Sequence, residues 1–151
     1  MNDPVRLSAR LALIACTAIG IGMVELEAGR PARAADLIIQ VTGMDRLAGD
    51  VHFGVYDKEG EFPSGRSVAG DNKPADQETV VFRVPDLTPG QYAVAVYHDA
   101  NGNGRHDVSL WRIEDFGFSQ NAKAFFGPPK FDAAAFDLVE ADTTITIDLA
   151  N

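Results

Sequence analysis

The chain has 151 residues, a single cysteine and a formal net charge of −9 at pH 7. Such an excess of acid repels nucleic-acid phosphates and anionic lipid headgroups at long range and draws cations, so nucleic acid is not an expected partner. With one cysteine no intrachain disulfide can form, and packing, helped at most by a bound ion, must hold the fold.

The N-terminus reads as an export signal. Arg6 and Arg10 form a basic segment, Leu11 to Val24 is an apolar run, and Ala32-Arg33-Ala34 is a small-x-small cleavage site. The expected division is a secretory signal peptide over 1–34 and one domain over 35–151, working in the periplasm or outside the cell. Removing 34 of 151 residues leaves 117, enough for one core and too few for two domains of ordinary size. The apolar run is short for a bilayer of roughly 30 Å and is closed by Glu25 and Glu27, so membrane contact is expected only through the transient leader. Leu13-Ile14-Ala15-Cys16 also fits a lipobox, which would make Cys16 a lipidated first residue. Against it, few apolar residues separate Arg10 from Cys16, and the run continues past the cysteine. From Ala35 onward nine Lys and Arg face nineteen Asp and Glu, a net charge of −10.

Beyond the leader the dominant period is two, the mark of strands with one buried face. In chain order, Leu37, Ile39 and Val41 alternate with Ile38 and Gln40, and Val51, Phe53 and Val55 alternate with His52, Gly54 and Tyr56. A single helical turn is expected near Lys58 to Phe62, followed by a long polar surface loop from Phe62 to Asp76. Val80, Phe82 and Val84 then alternate with Val81 and Arg83, and Tyr92, Val94 and Val96 with Ala93, Ala95 and Tyr97. Another single turn is expected near Asn121 to Phe126, a strand over Ala134 to Val139, and a last one in which Ile145, Ile147 and Leu149 alternate with Thr146 and Asp148. No segment holds a helical period for three turns. The expected fold is all-β, an antiparallel Greek-key β-sandwich, Ig-like or prealbumin-like, of about seven short strands. Leu87-Thr88-Pro89-Gly90-Gln91-Tyr92 supports it, since a tyrosine entering a strand at such a corner returns its hydroxyl to the backbone just upstream; an ordinary Pro-Gly turn is the plainer reading.

Three stretches, PGQYAVAVYHDANGNGRHD, EDFGFSQNA and FGPPKFDAAAF, occur in that order. On them the chain resembles the bacterial DUF2141 family, exported domains without an assigned biochemical role, and the Leu-x-Pro-Gly-x-Tyr corner is shared with transthyretin-like and carboxypeptidase-regulatory-like domains. The resemblance implies a sandwich and an export signal, and it brings no catalytic residues.

The segment His98 to Asp107 carries the chemistry. Asp99, Asn101, Asn103, Gly104 and Asp107 follow the first nine positions of a calcium loop: side-chain oxygens at positions 1, 3, 5 and 9, the backbone carbonyl of Arg105 at 7, and glycine at 6. The expected metal ligands are therefore Asp99, Asn101, Asn103, Arg105 and Asp107, for a calcium ion held weakly, with Kd on the order of 10⁻⁴ to 10⁻³ M. Leu110 stands where a bidentate glutamate would close the shell, so Glu114, Asp115, another loop or water must complete it. Asn101-Gly102 and Asn103-Gly104 are also hairpin dipeptides that need no ion. His98 and His106, each followed by aspartate, leave open a transition-metal site and with it a metal-dependent enzyme, whereas His52 reads as a sheet-face histidine.

Ser119 lies near Glu114 and Asp115 but lacks a nucleophile-elbow motif, so no hydrolase is expected. Trp111, Phe116, Phe118, Phe125, Phe126 and Phe131 are expected to pack mostly as a lid over one end of the sandwich. They are alternatively an aromatic binding face for a glycan or a protein. The functional expectation is a non-enzymatic exported module with a calcium loop in a structural or ligand-presenting role.

Overall fold

The computed structural model describes residues 33–104, 108–109 and 112–150. The expected leader up to residue 32 lies outside the described residues, as do Arg105, His106, Asp107, Leu110 and Trp111. Among the described residues no helix is long and apolar enough to cross a membrane.

Two sheets face each other. Strands β1 (Ala35–Thr42), β4 (Val80–Leu87) and β10 (Thr143–Asp148) form one, in the order β10-β1-β4. The other runs β3 (Ala69–Pro74), β2 (Asp50–Tyr56), β5 (Gly90–Asp99), β8 (Phe116–Phe118), with β9 (Phe136–Leu138) also paired to β5. Between β5 and β8, β6 (Val108–Ser109) and β7 (Arg112–Ile113) pair as a short antiparallel ribbon.

The period of two sets the core. Leu37, Ile39 and Val41 of β1, Val80, Phe82 and Val84 of β4, and Ile147 of β10 meet Val51, Phe53 and Val55 of β2 and Tyr92, Val94 and Val96 of β5, all buried between the sheets. Full burial of such aliphatic side chains stabilises by about 1.5–3 kcal/mol each before conformational entropy is charged against it. The corner forms as expected: the Tyr92 hydroxyl donates to the Thr88 carbonyl at 2.8 Å, and the ring is buried.

Three features differ from the sequence expectation. β1 and β10 pair in parallel, Ile39 opposite Ile145 and Val41 opposite Ile147, so the sandwich is antiparallel only in its other main pairings. Alternation reports which face a residue occupies and nothing about strand direction. The expected surface loop contains β3, paired to β2 along its length; its residues are mostly exposed, so this edge strand forms through backbone hydrogen bonds and leaves no apolar pattern to read. The outer face of β5 is also covered. Ala93 is buried beneath Phe118, Phe131 and Ala134, the last two from a one-turn helix α1 (Phe131–Ala134) at the start of the expected 134–139 strand.

β8 and β9 lie end to end along one edge of β5, pairing with Ala95–Tyr97 and Gly90–Tyr92 respectively. Ser119 fills the break between them. Its hydroxyl accepts the Val94 N–H at 2.8 Å and donates to the Ala134 carbonyl, tying β5 to α1.

Candidate functional site

The site lies where β5 ends. Residues 92, 94, 96 and 98 of this strand turn to the inter-sheet core and residues 93, 95, 97 and 99 to the outer face, so the consecutive residues His98 and Asp99 serve different sides of the sheet. Both are buried, although they are polar.

On the outer side the chain after β5 curls around the Asp99 carboxylate. Oδ1 accepts the N–H groups of Gly102 at 2.8 Å and Asn103 at 3.1 Å, and Oδ2 accepts Gly104 N–H at 2.6 Å. Gly102 and Gly104 take φ of 71° and 74°, a left-handed conformation that a β-carbon disfavours. Burial acts to raise the Asp99 pKa, but the three amide bonds and the neighbouring His52 outweigh it and hold the carboxyl below its ordinary value. The side chain of Asn101 accepts the Asn103 N–H at 3.0 Å.

Glu114 reaches the same loop. It is buried, and its Oε1 accepts the Ala100 N–H at 3.2 Å. Burial, with the charges of Asp99 and Glu114 added, pushes the Tyr97 hydroxyl above its ordinary pKa, which places the phenol in the field of both acids. Tyr97 stacks on His52 with ring centroids 4.6 Å apart, and the His52 Nε2 lies 3.9 Å from Asp99 Oδ2. His52 is thus a sheet-face residue, as its alternation implied.

On the inner side His98 is fully buried. Its Nε2 lies 2.7 Å from the carbonyl of Ala48, in the β1–β2 connection. That connection approaches closely because the next residue is glycine: at Gly49, φ 76°, a β-carbon would stand 2.0 Å from the Asp99 carbonyl oxygen. The other ring nitrogen, Nδ1, is buried without a hydrogen-bond partner. It faces Asp115 Oδ2 at 3.8 Å and Asp45 Oδ1 at 3.9 Å, both too long for hydrogen bonds.

The structure therefore brings Asp99, Asn101, Asn103 and Glu114 to one loop, while Arg105, His106 and Asp107 lie outside the described residues. Asp115, expected as an alternative completion of the calcium shell, turns instead to His98 on the opposite side. Strand-like alternation separates the two neighbouring acids. Asp45 is absent from the sequence expectation altogether, because it comes from the β1–β2 connection and only the pairing of β2 with β5 carries it to His98.

A profile of the DUF2141 family, described as uncharacterized proteins conserved in bacteria, matches residues 39–146. The chain belongs to this family. The match runs from β1 into β10 and includes Asp45, His98, Asp99, Glu114 and Asp115. No curated protein and no solved structure matches the chain significantly.

Elsewhere in this DUF2141 domain, Ser119 is wholly buried and its hydroxyl is engaged by the backbone of Val94 and Ala134. The aromatic segment divides. Phe118 and Phe131 pack edge-on around Phe62 over the outer face of β5, with centroids 5.7 and 6.0 Å from it. Phe125 and Phe126, in contrast, are exposed by 86% and 109%, too open to be part of any lid.

Proposed function

We propose that this DUF2141 domain is an exported, non-catalytic β-sandwich module that binds calcium weakly at the Asp99–Asp107 loop and uses the ion to order that pole of the molecule. The observation that carries the reading is the convergence of two buried carboxylates, Asp99 and Glu114, on one glycine-bearing loop in a strongly acidic chain. Repulsion between like charges held close together becomes attraction when a divalent cation lies between them. Asp99 has one acceptor direction on Oδ2 beyond its three amide bonds, and Asn101, Asn103, the Arg105 carbonyl and Asp107 supply further oxygens of the kind calcium takes. Glu114 offers the carboxylate missing at Leu110.

Calorimetric titration of the purified protein tests this. Calcium should bind with Kd on the order of 10⁻⁴ to 10⁻³ M. Binding should be lost in Asp99→Ala and Asp107→Ala, weakened in Glu114→Gln and unchanged in His98→Ala. No calcium binding up to roughly 10 mM, beyond the range of weak extracellular sites, would reduce the loop to a turn closed by Asp99.

The exposure of Phe125 and Phe126 favours a second reading, in which the same module presents an aromatic pair to a glycan or a protein. Replacing both by alanine should then abolish retention on a glycan array or partner column while leaving calcium affinity and thermal unfolding unchanged.

A further inference from the structure

We infer that His98, Asp45 and Asp115 form a second cation site, separate from the calcium loop and selective for a divalent transition metal of the zinc class.

One proton on the His98 ring is fixed by the carbonyl of Ala48. The Ala48 carbonyl can only accept a hydrogen bond, so the contact at 2.7 Å requires a hydrogen on Nε2. A neutral imidazole with its proton on Nε2 presents a lone pair at Nδ1, the nitrogen left without a partner in a fully buried side chain. A histidine whose second nitrogen donates to a backbone carbonyl is oriented and made more basic as a metal ligand. A buried Nδ1 with neither a hydrogen-bond partner nor a bound ion would be left unsatisfied, which is destabilising.

The two carboxylates suit the same occupant. Asp115 Oδ2 and Asp45 Oδ1 stand 3.8 and 3.9 Å from Nδ1, and the three ligand atoms lie within 4.8 Å of one another. Zinc bonds of about 2.0–2.2 Å to nitrogen and oxygen, at a tetrahedral angle, separate two ligand atoms by about 3.4 Å. Each carboxylate oxygen must therefore close on Nδ1 by roughly half an ångström, and the two oxygens, within 4.8 Å of each other, by at most about 1.4 Å, a movement open to the half-exposed Asp45 side chain. The charges also balance, because two carboxylates and a neutral imidazole offset one divalent ion. The nitrogen decides the class of metal, since calcium and magnesium take oxygen whereas imidazole suits zinc, copper and nickel.

The ligands are held from different directions. The His98 N–H donates to the Asp115 carbonyl at 2.8 Å, and the Asp45 N–H donates to Asp115 Oδ2 at 3.1 Å. Asp45 is half exposed and gives an ion access from solvent, with room for water as a fourth ligand. Arg46 competes for Asp45: its Nε and Nη2 donate to the two carboxylate oxygens at 3.2 and 3.1 Å. Removing this cation frees a ligand and lowers the local positive charge.

The test is titration of the purified protein with zinc chloride by calorimetry and with cobalt(II) by visible absorption. One equivalent should bind, and cobalt should show the d–d bands of a low-coordinate nitrogen and oxygen site. Asp45→Asn, at a half-exposed position, and Asp115→Asn should each weaken binding by more than about a hundredfold, beyond the roughly 10–100-fold loss that a supporting partner alone would cause. Arg46→Ala should strengthen it. His98→Asn, with its fold checked by circular dichroism, should abolish the cobalt bands. Excess calcium should not displace zinc, and Asp99→Ala should leave zinc affinity unchanged, so failure of the calcium reading would be distinguishable from failure of this one. No zinc or cobalt binding up to about 1 mM, an affinity near −4 kcal/mol, would overturn the proposal and leave the gap to a water molecule. Binding that survives both aspartate substitutions would overturn it as well.

Discussion

His98 and Asp99 are neighbours on β5, yet the first points its free nitrogen at Asp115, 3.8 Å away inside the sandwich pole, and the second lies 3.9 Å from His52 on the outer face. The acidic pair Glu114-Asp115 divides in the same way, Glu114 to the outer loop and Asp115 to the inner histidine. The pole therefore carries two chemically different clusters separated by one layer of backbone.

Asp99 is expected to be structural even without an ion. Its carboxylate satisfies three amides of the loop, so Asp99→Ala should cost about 2–3 kcal/mol in urea unfolding, the worth of hydrogen bonds to a charged group whose donors are left unpaired. Amide exchange should rise at Gly102, Asn103 and Gly104 before it rises elsewhere. Unchanged exchange at these residues would mean that the loop is held by something other than Asp99.

Ser119 should be costly to replace despite its small size. Ser119→Ala removes the partner of the buried Val94 N–H and of the Ala134 carbonyl, at about 1–3 kcal/mol for each group left unsatisfied. Thermal unfolding measures the loss. A neutral substitution would show that β8 and β9 close the gap unaided.

Tyr92→Phe should cost about 1 kcal/mol, because the ring stays buried and only its hydroxyl bond to Thr88 is lost. Denaturant unfolding with an unchanged m-value checks it, since the surface exposed on unfolding is the same. No loss of stability would mean that the corner holds without the hydroxyl.

The pairing of Arg83 with Asp36 across β4 and β1 makes a pH-dependent contribution. The Arg83 guanidinium first, and the Asp86 N–H second, hold the Asp36 carboxyl below its ordinary value. A carboxyl whose pKa falls on folding contributes stability that is complete above its unfolded pKa, about 3.9, and is lost as the pH drops through the lower folded value. Wild type and Arg83→Gln should therefore differ in stability at pH 7, and the difference should shrink below about pH 4 and in high salt. A difference that persists at pH 2 would assign the effect to packing of the arginine stem.

Intact mass of the protein from its native host should correspond to a chain beginning at Ala35. A lipid-modified chain beginning at Cys16 would instead tether the domain to a membrane.

Side-chain alternation made β1, β2, β4, β5 and β10 legible from the amino acids alone, because burial of one sheet face imposes a period of two whatever the partner strands are. The tyrosine corner was legible for a related reason: it closes through a contact only a few residues long, so a local motif contains the whole structure. The direction of β10, the edge strand β3 and the bridge at Ser119 depended on pairing, which leaves no periodic trace. The same holds for the His98 cluster. Asp45, His98 and Asp115 come from three separate segments, and only the register of β2 on β5, with the β1–β2 connection brought close at Gly49, gathers their side chains around one buried nitrogen.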